Sequence, residues 1–417
     1  MNIFIAILLF FILSCKKQPI NNPPEISIIL PVEQSVYSAL DTVFIRLNVR
    51  DNDSKNINLS IFLEKKDFTP ITNNTLLYTF NKNEIQIDIP FALTDRWINS
   101  DEYYLTVTAY DGYSKSQARK KIFIHAIPKK FKGIMAGVKN QSFVDIYVSD
   151  TSFNFQKVFS LNNLLTGFYE YRFSLFASIH TNGIANFYTY PNFSLIKEIS
   201  GLNKIGTPFR IDWKFQSPYL YITNANKSII AIDKDGIIRK NISTKFSPYK
   251  INYFNNEWVV LSEVYPYPIS YIEAPFQQKN YLKQGNLIDI IYLDNNRWLV
   301  VEQKNNQILL YEYKSLYNIL NQFNHNIYGT YYGNLILNNK IILFIDNKIF
   351  ELNKIYGTLF LLYQNNCSIS QIKYEETKDL ITGVFENSLC FIKNNLYSHN
   401  FFVYLPGNIV FYDFIYE

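Results

Sequence analysis

Asn255-Asn256-Glu257-Trp258-Val259-Val260-Leu261-Ser262-Glu263 is followed forty residues later by Asn295-Asn296-Arg297-Trp298-Leu299-Val300-Val301-Glu302. Both copies open on an Asn pair, whose tolerance of left-handed backbone suits a tight turn, and continue into a Trp-led apolar run. Each is preceded by a second run ending in aromatic and aliphatic residues, Lys250 to Phe254 and Asp289 to Leu293. Extending this register along the chain gives equivalent positions near Ile134, Leu175, Tyr219, Trp258, Trp298, Ile341 and Leu380, spaced by 39 to 44 residues. A fixed period of this length marks a repeat architecture of seven units.

Within a unit the strands can be placed individually. The fourth divides into Tyr249–Phe254, Trp258–Glu263, Ile269–Glu273 and Lys279–Lys283, and the fifth into Leu287–Leu293, Trp298–Gln303, Gln307–Tyr313 and Tyr317–Phe323. Four short strands per forty residues, with no helical period between them, predict the blades of a β-propeller. The stretch from Tyr219 through Asn224, Asn226 and Asp233 to Gly236 resembles the NHL and YWTD-type propeller repeat, in which a strand, an Asn-containing turn and an Asp-x-Asp-Gly turn follow in order. A ring of blades must hide its first and last edges. The first unit lacks an inner strand before Gly133, and Asn408 to Ile415 is left over after the seventh, so the C-terminal strand is expected to complete blade one.

Residues 25–127 have a different texture. Ile26–Leu30, Val43–Val49, Leu59–Leu63 and Ile85–Ile89 alternate apolar with polar residues, as strands with one buried face do. Tyr103 to Gly112, followed by Ala118 to Ile124, resembles the closing hairpin of bacterial immunoglobulin-like and cadherin-like modules, which implies a β-sandwich. Asp51, Asp53 and Asp111 could suggest calcium at one end of it, but acidic loop residues are ordinary turn formers, and no metal is assigned. The expected fold is therefore all-β, an Ig-like β-sandwich followed by a seven-bladed β-propeller over 131–417.

The N-terminus carries a different kind of signal. Ile3 to Leu13 is an unbroken apolar run, too short to span a bilayer as a helix, and Ser14-Cys15 follows at once. The combination resembles the bacterial lipoprotein signal. It implies that residues 1–14 are removed and that Cys15 is acylated, with 15–24 as a short Pro/Asn-rich tether. Two or three acyl chains would anchor the chain stably to a membrane, and the expected location is the cell envelope, in the outer membrane of a Gram-negative bacterium. Cys367 and Cys390 are then the only thiols of the mature chain and could pair in an oxidising compartment, although the strand assignment does not make them neighbours.

Composition narrows the function. Aromatic residues reach 17% and hydrophobic residues 48%, which favours half-buried pleated surfaces, and a formal charge of +5 without a basic run gives no footprint for nucleic acid. No nucleophile elbow, zinc-protease, phosphate-loop, dinucleotide or Cys-x-x-Cys motif occurs, and no cofactor is expected. His125, His180, His325 and His399 fall on different units. Carboxylates are the remaining route to catalysis: Asp212 and Asp289 on inner strands, Glu263 and Glu302 at the ends of second strands. The last two share nearly one repeat position, as structural residues do. Loops between second and third strands carry His180, Asn182, Asn224, Asn226, Tyr265, Tyr267, Lys304 and Asn306, a polar and aromatic set suited to a glycan or an extended peptide. The leading expectation is a membrane-anchored, non-enzymatic binding or scaffold protein whose propeller face recognises a glycan or an envelope protein. The alternatives are a glycan-active hydrolase or lyase of the same architecture, and an envelope assembly factor.

Overall fold

The computed structural model describes residues 21–417 except 54, 55, 67, 69, 203–210, 217, 255, 256, 263–268, 274–276, 282–284, 295, 296, 315, 316, 324–326, 338, 339, 355, 365–367 and 394–399. The regular structure of these residues is entirely β, in 36 strands. The chain divides into two compact units, Met1–Ile127 and Pro128–Glu417.

The first unit contains eight strands: β1 (Glu25–Leu30), β2 (Ser35–Ser38), β3 (Thr42–Arg50), β4 (Ile57–Glu64), β5 (Pro70–Phe80), β6 (Glu84–Ala92), β7 (Asp101–Tyr110) and β8 (Lys115–His125). They form two sheets, in the orders β1-β3-β6 and β2-β8-β7-β4-β5. Strict alternation on β3 buries Val43, Ile45, Leu47 and Val49 and turns Phe44, Arg46 and Asn48 outward, because successive side chains of a strand point to opposite faces. Those four residues share one core with Leu59, Ile61 and Leu63 of β4 and Leu105, Val107 and Ala109 of β7. The buried carboxylate of Glu64 is paired: its Oε2 accepts from Thr106 Oγ1 at 2.7 Å and from Arg119 Nε at 2.8 Å. The pairing answers the cost of burying a charge.

The second unit contains seven four-stranded sheets among the described residues. Six are built from four consecutive strands. The remaining one, taken here as the first, joins the last strand of the chain, Asn408–Tyr416, to Phe131–Asn140, Phe143–Ser149 and Phe155–Asn162. The pairing runs antiparallel from Asn408 opposite Lys139 to Tyr416 opposite Phe131, and Lys130 and Glu417 exchange both backbone hydrogen bonds beyond it. The second strands of the seven sheets are Phe131–Asn140, Leu175–His180, Tyr219–Asn224, Glu257–Ser262, Arg297–Lys304, Lys340–Ile345 and Leu380–Phe385, and the repeat positions from Ile134 to Leu380 fall one on each.

These second strands are apolar without alternation because both their faces are covered. On Arg297–Lys304, Trp298 and Val300 pack with Val259 and Leu261 of the fourth sheet, while Leu299 and Val301 pack with Ile341, Leu343 and Ile345 of the sixth. Similar clusters lie between each successive pair of sheets. Another unites Leu389 and Phe391 of the seventh sheet with Ile134, Ala136, Tyr412 and Phe414 of the first, so the succession of sheets closes on itself. A fully buried Leu, Ile or Phe contributes roughly 1.5–3 kcal/mol, and each second strand supplies several.

Candidate functional site: the cavity enclosed by the inner strands

The cavity at the centre of the seven sheets has a volume of about 1120 Å³. Each sheet contributes its first strand to the wall: Leu164–Glu170, Trp213–Gln216, Pro248–Phe254, Leu287–Asp294, Tyr331–Leu337, Ser370–Glu375 and the closing strand Asn408–Tyr416. Equivalent places on neighbouring inner strands lie about one repeat apart in sequence, so a side chain on one strand meets the backbone of a strand some forty residues away.

That geometry decides what the polar residues do. Asp212 Oδ2 accepts the amide of Ile251 at 3.0 Å, and Asn252 Nδ2 donates to the carbonyl of Ile290 at 3.3 Å. Gln371 Nε2 donates to the carbonyl of Val410 at 3.1 Å, and Lys373 Nζ to that of Tyr412 at 2.6 Å and to the carboxylate of Asp413. Asp413 Oδ2 in turn accepts the amide of Tyr169 at 2.9 Å. Polar side chains thus tie one inner strand to the next and satisfy backbone groups that the sheets leave over.

Asp289 shows how completely a carboxylate can be occupied this way. Its Oδ1 accepts the Ile290 amide at 2.9 Å and faces Lys250 Nζ at 3.4 Å. Its Oδ2 accepts from Asn334 Nδ2 at 2.7 Å and the Tyr331 hydroxyl at 2.8 Å. Four donors meet the roughly four acceptor positions a carboxylate has. Burial, followed by the charge of Asp289, pushes the Tyr331 hydroxyl well above the usual tyrosine value. Lys250 is raised as well, chiefly by Asp212, with Asp289 adding to it against the cost of burial. Asp413 is raised by its burial, and Lys373 draws it part of the way back.

Several aromatic rings line the same wall and are held from behind. Trp213 stacks on Phe168 with centroids 4.3 Å apart and planes at 16°; Tyr253 packs on Trp258 at 4.6 Å and Tyr292 on Trp298 at 5.0 Å. The two tyrosines repeat one position of the forty-residue unit, one on each of two consecutive inner strands.

The loop residues singled out in the sequence lie elsewhere, and none of those described lines this cavity. His180 ends its strand with Nδ1 2.9 Å from the Asn162 carbonyl and Nε2 3.0 Å from Ser178 Oγ. Asn182 Oδ1 accepts the amide of Ile184 at 3.2 Å. Asn224 Oδ1 accepts the amide of Asn226 at 2.9 Å, and Asn226 Nδ2 donates to the Gly201 carbonyl. Asn306, at φ 65°, forms a left-handed turn whose carbonyl accepts from Gly329 N at 2.7 Å. Lys304 is exposed and, with Glu302, lines a separate cavity of about 410 Å³. Glu302 itself is buried against Gly285, where a Cβ would fall 1.7 Å from its Oε1. These residues build turns and strand ends, and neither of the two cavities gathers them together.

Cys15, Tyr265, Tyr267, Glu263, Cys367, His325 and His399 lie outside the described residues. Cys390 is buried on Ser388–Lys393. No group of three metal-ligating side chains occurs among the described residues; Asp51, Asp53 and Asp111 instead accept hydrogen bonds from their own loops and from Asn21 and Asn22. No helix among them is long and apolar enough to cross a membrane. Of the cavity residues, sequence reasoning placed Asp212 and Asp289 on inner strands but missed Lys214, Lys250, Asn334 and Lys373, and it missed Tyr331 and Asp413 that hold them from behind. The signal that could have found them is the repeat itself, which puts residues 38 to 45 apart side by side.

No family model matches the chain, and no curated protein matches it. Similar solved structures are β-propellers. The Cps50 (Swd1) β-propeller domain of Myceliophteria thermophila aligns at 11% identity over 59% of this chain and 88% of its own, with a TM-score of 0.46. The Pan2 WD40 domain of Neurospora crassa aligns at 9% over 59% and 80%, with a TM-score of 0.46. BamB from Moraxella catarrhalis aligns at 9% over 72% and 94%, with a TM-score of 0.44. At this identity the likeness concerns the fold alone.

Proposed function

We propose that this chain is a non-enzymatic binding protein of the cell envelope, held to a membrane through acylated Cys15. In this reading residues 25–127 are an Ig-like spacer, and the seven sheets of 131–417 are the blades of a propeller whose interior and loops recognise a glycan or a protein. The observation that carries it is the occupation of the cavity carboxylates. A general acid or base must present a carboxyl oxygen to the reacting group, yet of the two aspartates that line the cavity Asp289 meets four protein donors and Asp212 is tied to the next inner strand. A cavity of this size, with rigid aromatic rings and with its lining aspartates hydrogen-bonded to neighbouring inner strands, suits retention of a ligand better than its cleavage.

The test uses the soluble fragment from Pro23 onward on a glycan array, with product formation assayed on every glycan retained. Binding without turnover supports the proposal. Turnover would overturn it in favour of a hydrolase or lyase, and silence on the array with co-purified envelope proteins would favour an assembly factor. Export and anchoring are read separately: Cys15→Ser should release the protein into the soluble fraction.

A further inference from the structure

The charged side chains of the cavity do not cancel one by one. Three lysines and two aspartates line it: Lys214, Lys250, Lys373, Asp212 and Asp289. Lys250 lies under the influence of both aspartates. Lys373 is answered by Asp413 behind it. Lys214, on the short inner strand Trp213–Gln216, is exposed and has no hydrogen-bond or ion-pair partner among the described residues. Among the described residues of the wall, it is the cation whose charge is left for something else. Beside it in sequence stands Trp213, fixed by its stack on Phe168, and the same wall carries the braced rings of Tyr253 and Tyr292.

A rigid aromatic surface binds the apolar face of a sugar ring with little loss of side-chain freedom, and an exposed ammonium without a counter-ion on the wall of an open cavity attracts a negative charge that salt screens. The cavity, at about 1120 Å³, exceeds the roughly 300–1,000 Å³ of small-molecule pockets, so it has room for more than one sugar unit. We propose that the central cavity binds an acidic oligosaccharide of the uronic-acid type, with one carboxylate on Lys214 and sugar faces against the aromatic wall. This rests on the non-enzymatic binding reading above and adds to it the class of ligand and the residue that selects it.

Oligogalacturonides and their methyl esters make the probe, since esterification removes the carboxylate charge and adds only a methyl group to each unit. The soluble fragment from Pro23 onward is titrated with both, and reducing ends are assayed in the same samples. The acid form should bind, more weakly at higher salt, and the ester about tenfold or more worse, the loss expected when a charged hydrogen bond is removed. Lys214→Met should lower affinity for the acid form by a similar factor and leave the ester unaffected, while Lys214→Arg should retain most of it. Because Lys214 is exposed and unpartnered, both variants should melt with the parent. Equal binding of acid and ester, an unchanged Lys214→Met, or no binding of either probe would overturn the assignment to Lys214 without touching the non-enzymatic reading. Release of reducing ends would overturn that reading, while the dependence on Lys214 would still stand or fall by the two variants.

Discussion

The ring of Phe411 fills the space that a side chain at Gly137 would need: a Cβ there would lie 2.2 Å from Phe411 Cε1. The same ring meets Gly167 of the next sheet, where a Cβ would fall 2.8 Å from Cε1, and it stacks on Phe176 with centroids 5.7 Å apart. Phe411 belongs to the last strand of the chain, Gly137 to the first strand of the second unit, and Gly167 to the sheet that follows. One aromatic ring of the closing strand therefore fills the space between the first and second sheets, and two glycines make room for it.

Gly137→Ala should for this reason destabilise the second unit by about 1–3 kcal/mol, the usual cost of overpacking a full site. Phe411→Leu alone should also destabilise. The two changes together should cost less than their sum, because the smaller side chain gives the added methyl room. Urea midpoints of the two single variants and the double variant decide the matter, and strict additivity would mean that the ring and Gly137 are not in conflict.

Deleting Pro406 to Glu417 tests the closure as a whole. The deletion removes the buried side chains of Ile409, Phe411, Tyr412, Phe414 and Ile415 and leaves Phe131–Asn140 with an unpaired edge. Large core residues cost roughly 2–5 kcal/mol each when truncated, and a domain has only about 5–15 kcal/mol to lose. The expected outcome is an unfolded or aggregated second unit, seen as loss of its melting transition and of a monomer peak on size exclusion. A shortened chain that melts like the parent would rule the strand out as the seal.

Why the strands could be read from sequence while the cavity could not follows from where the constraints lie. A second strand such as Lys340–Ile345 is covered on both faces, so Ile341 to Ile345 must all be apolar, and the run stands out between polar turns. Trp258 and Trp298 mark the same place on two such strands, 4% and 1% exposed. The cavity residues obey no local pattern. Asp289 depends on Tyr331 and Asn334, 42 and 45 positions away, and Asp413 on Tyr169, 244 positions away. His180, Asn224 and Asn226 illustrate the opposite ambiguity: a polar residue at a turn has the same composition whether it binds a ligand or builds the turn, and here their hydrogen bonds build turns.

Asp289→Ala should lower stability by about 2–3 kcal/mol, since it strips the Tyr331 hydroxyl of its acceptor and the Asn334 amide of one of its two. It also leaves Lys250 with one fewer counter-charge. If Asp289 ties the fifth sheet to the sixth, Asn334→Ala in the same background should add little. Full additivity in a double-mutant cycle of melting free energies would argue that the two do not act together.

Acid should weaken the first unit through Asp111. Burial alone would raise this carboxyl, but it is outweighed by donors: the Ser114 amide at 2.6 Å, Asn21 Nδ2 at 2.8 Å, the Tyr113 amide at 2.7 Å and Ser114 Oγ at 2.9 Å. Together they hold its pKa at about 2, below the ordinary 3.8. A folded value below the unfolded one means that the folded unit binds fewer protons between the two. The contribution is therefore complete above the ordinary value and is lost as pH falls through about 2, and a shift of this size corresponds to about 2 kcal/mol. Urea titrations of the parent between pH 5 and pH 2 should show this acid limb, and Asp111→Ala should flatten it. Asn21→Ala, by removing one donor, should move the limb to higher pH without abolishing it. If Asp111→Ala and the parent lose stability in parallel over that range, the limb belongs to another carboxylate, and Asn21 is then not fastened to this loop by charge.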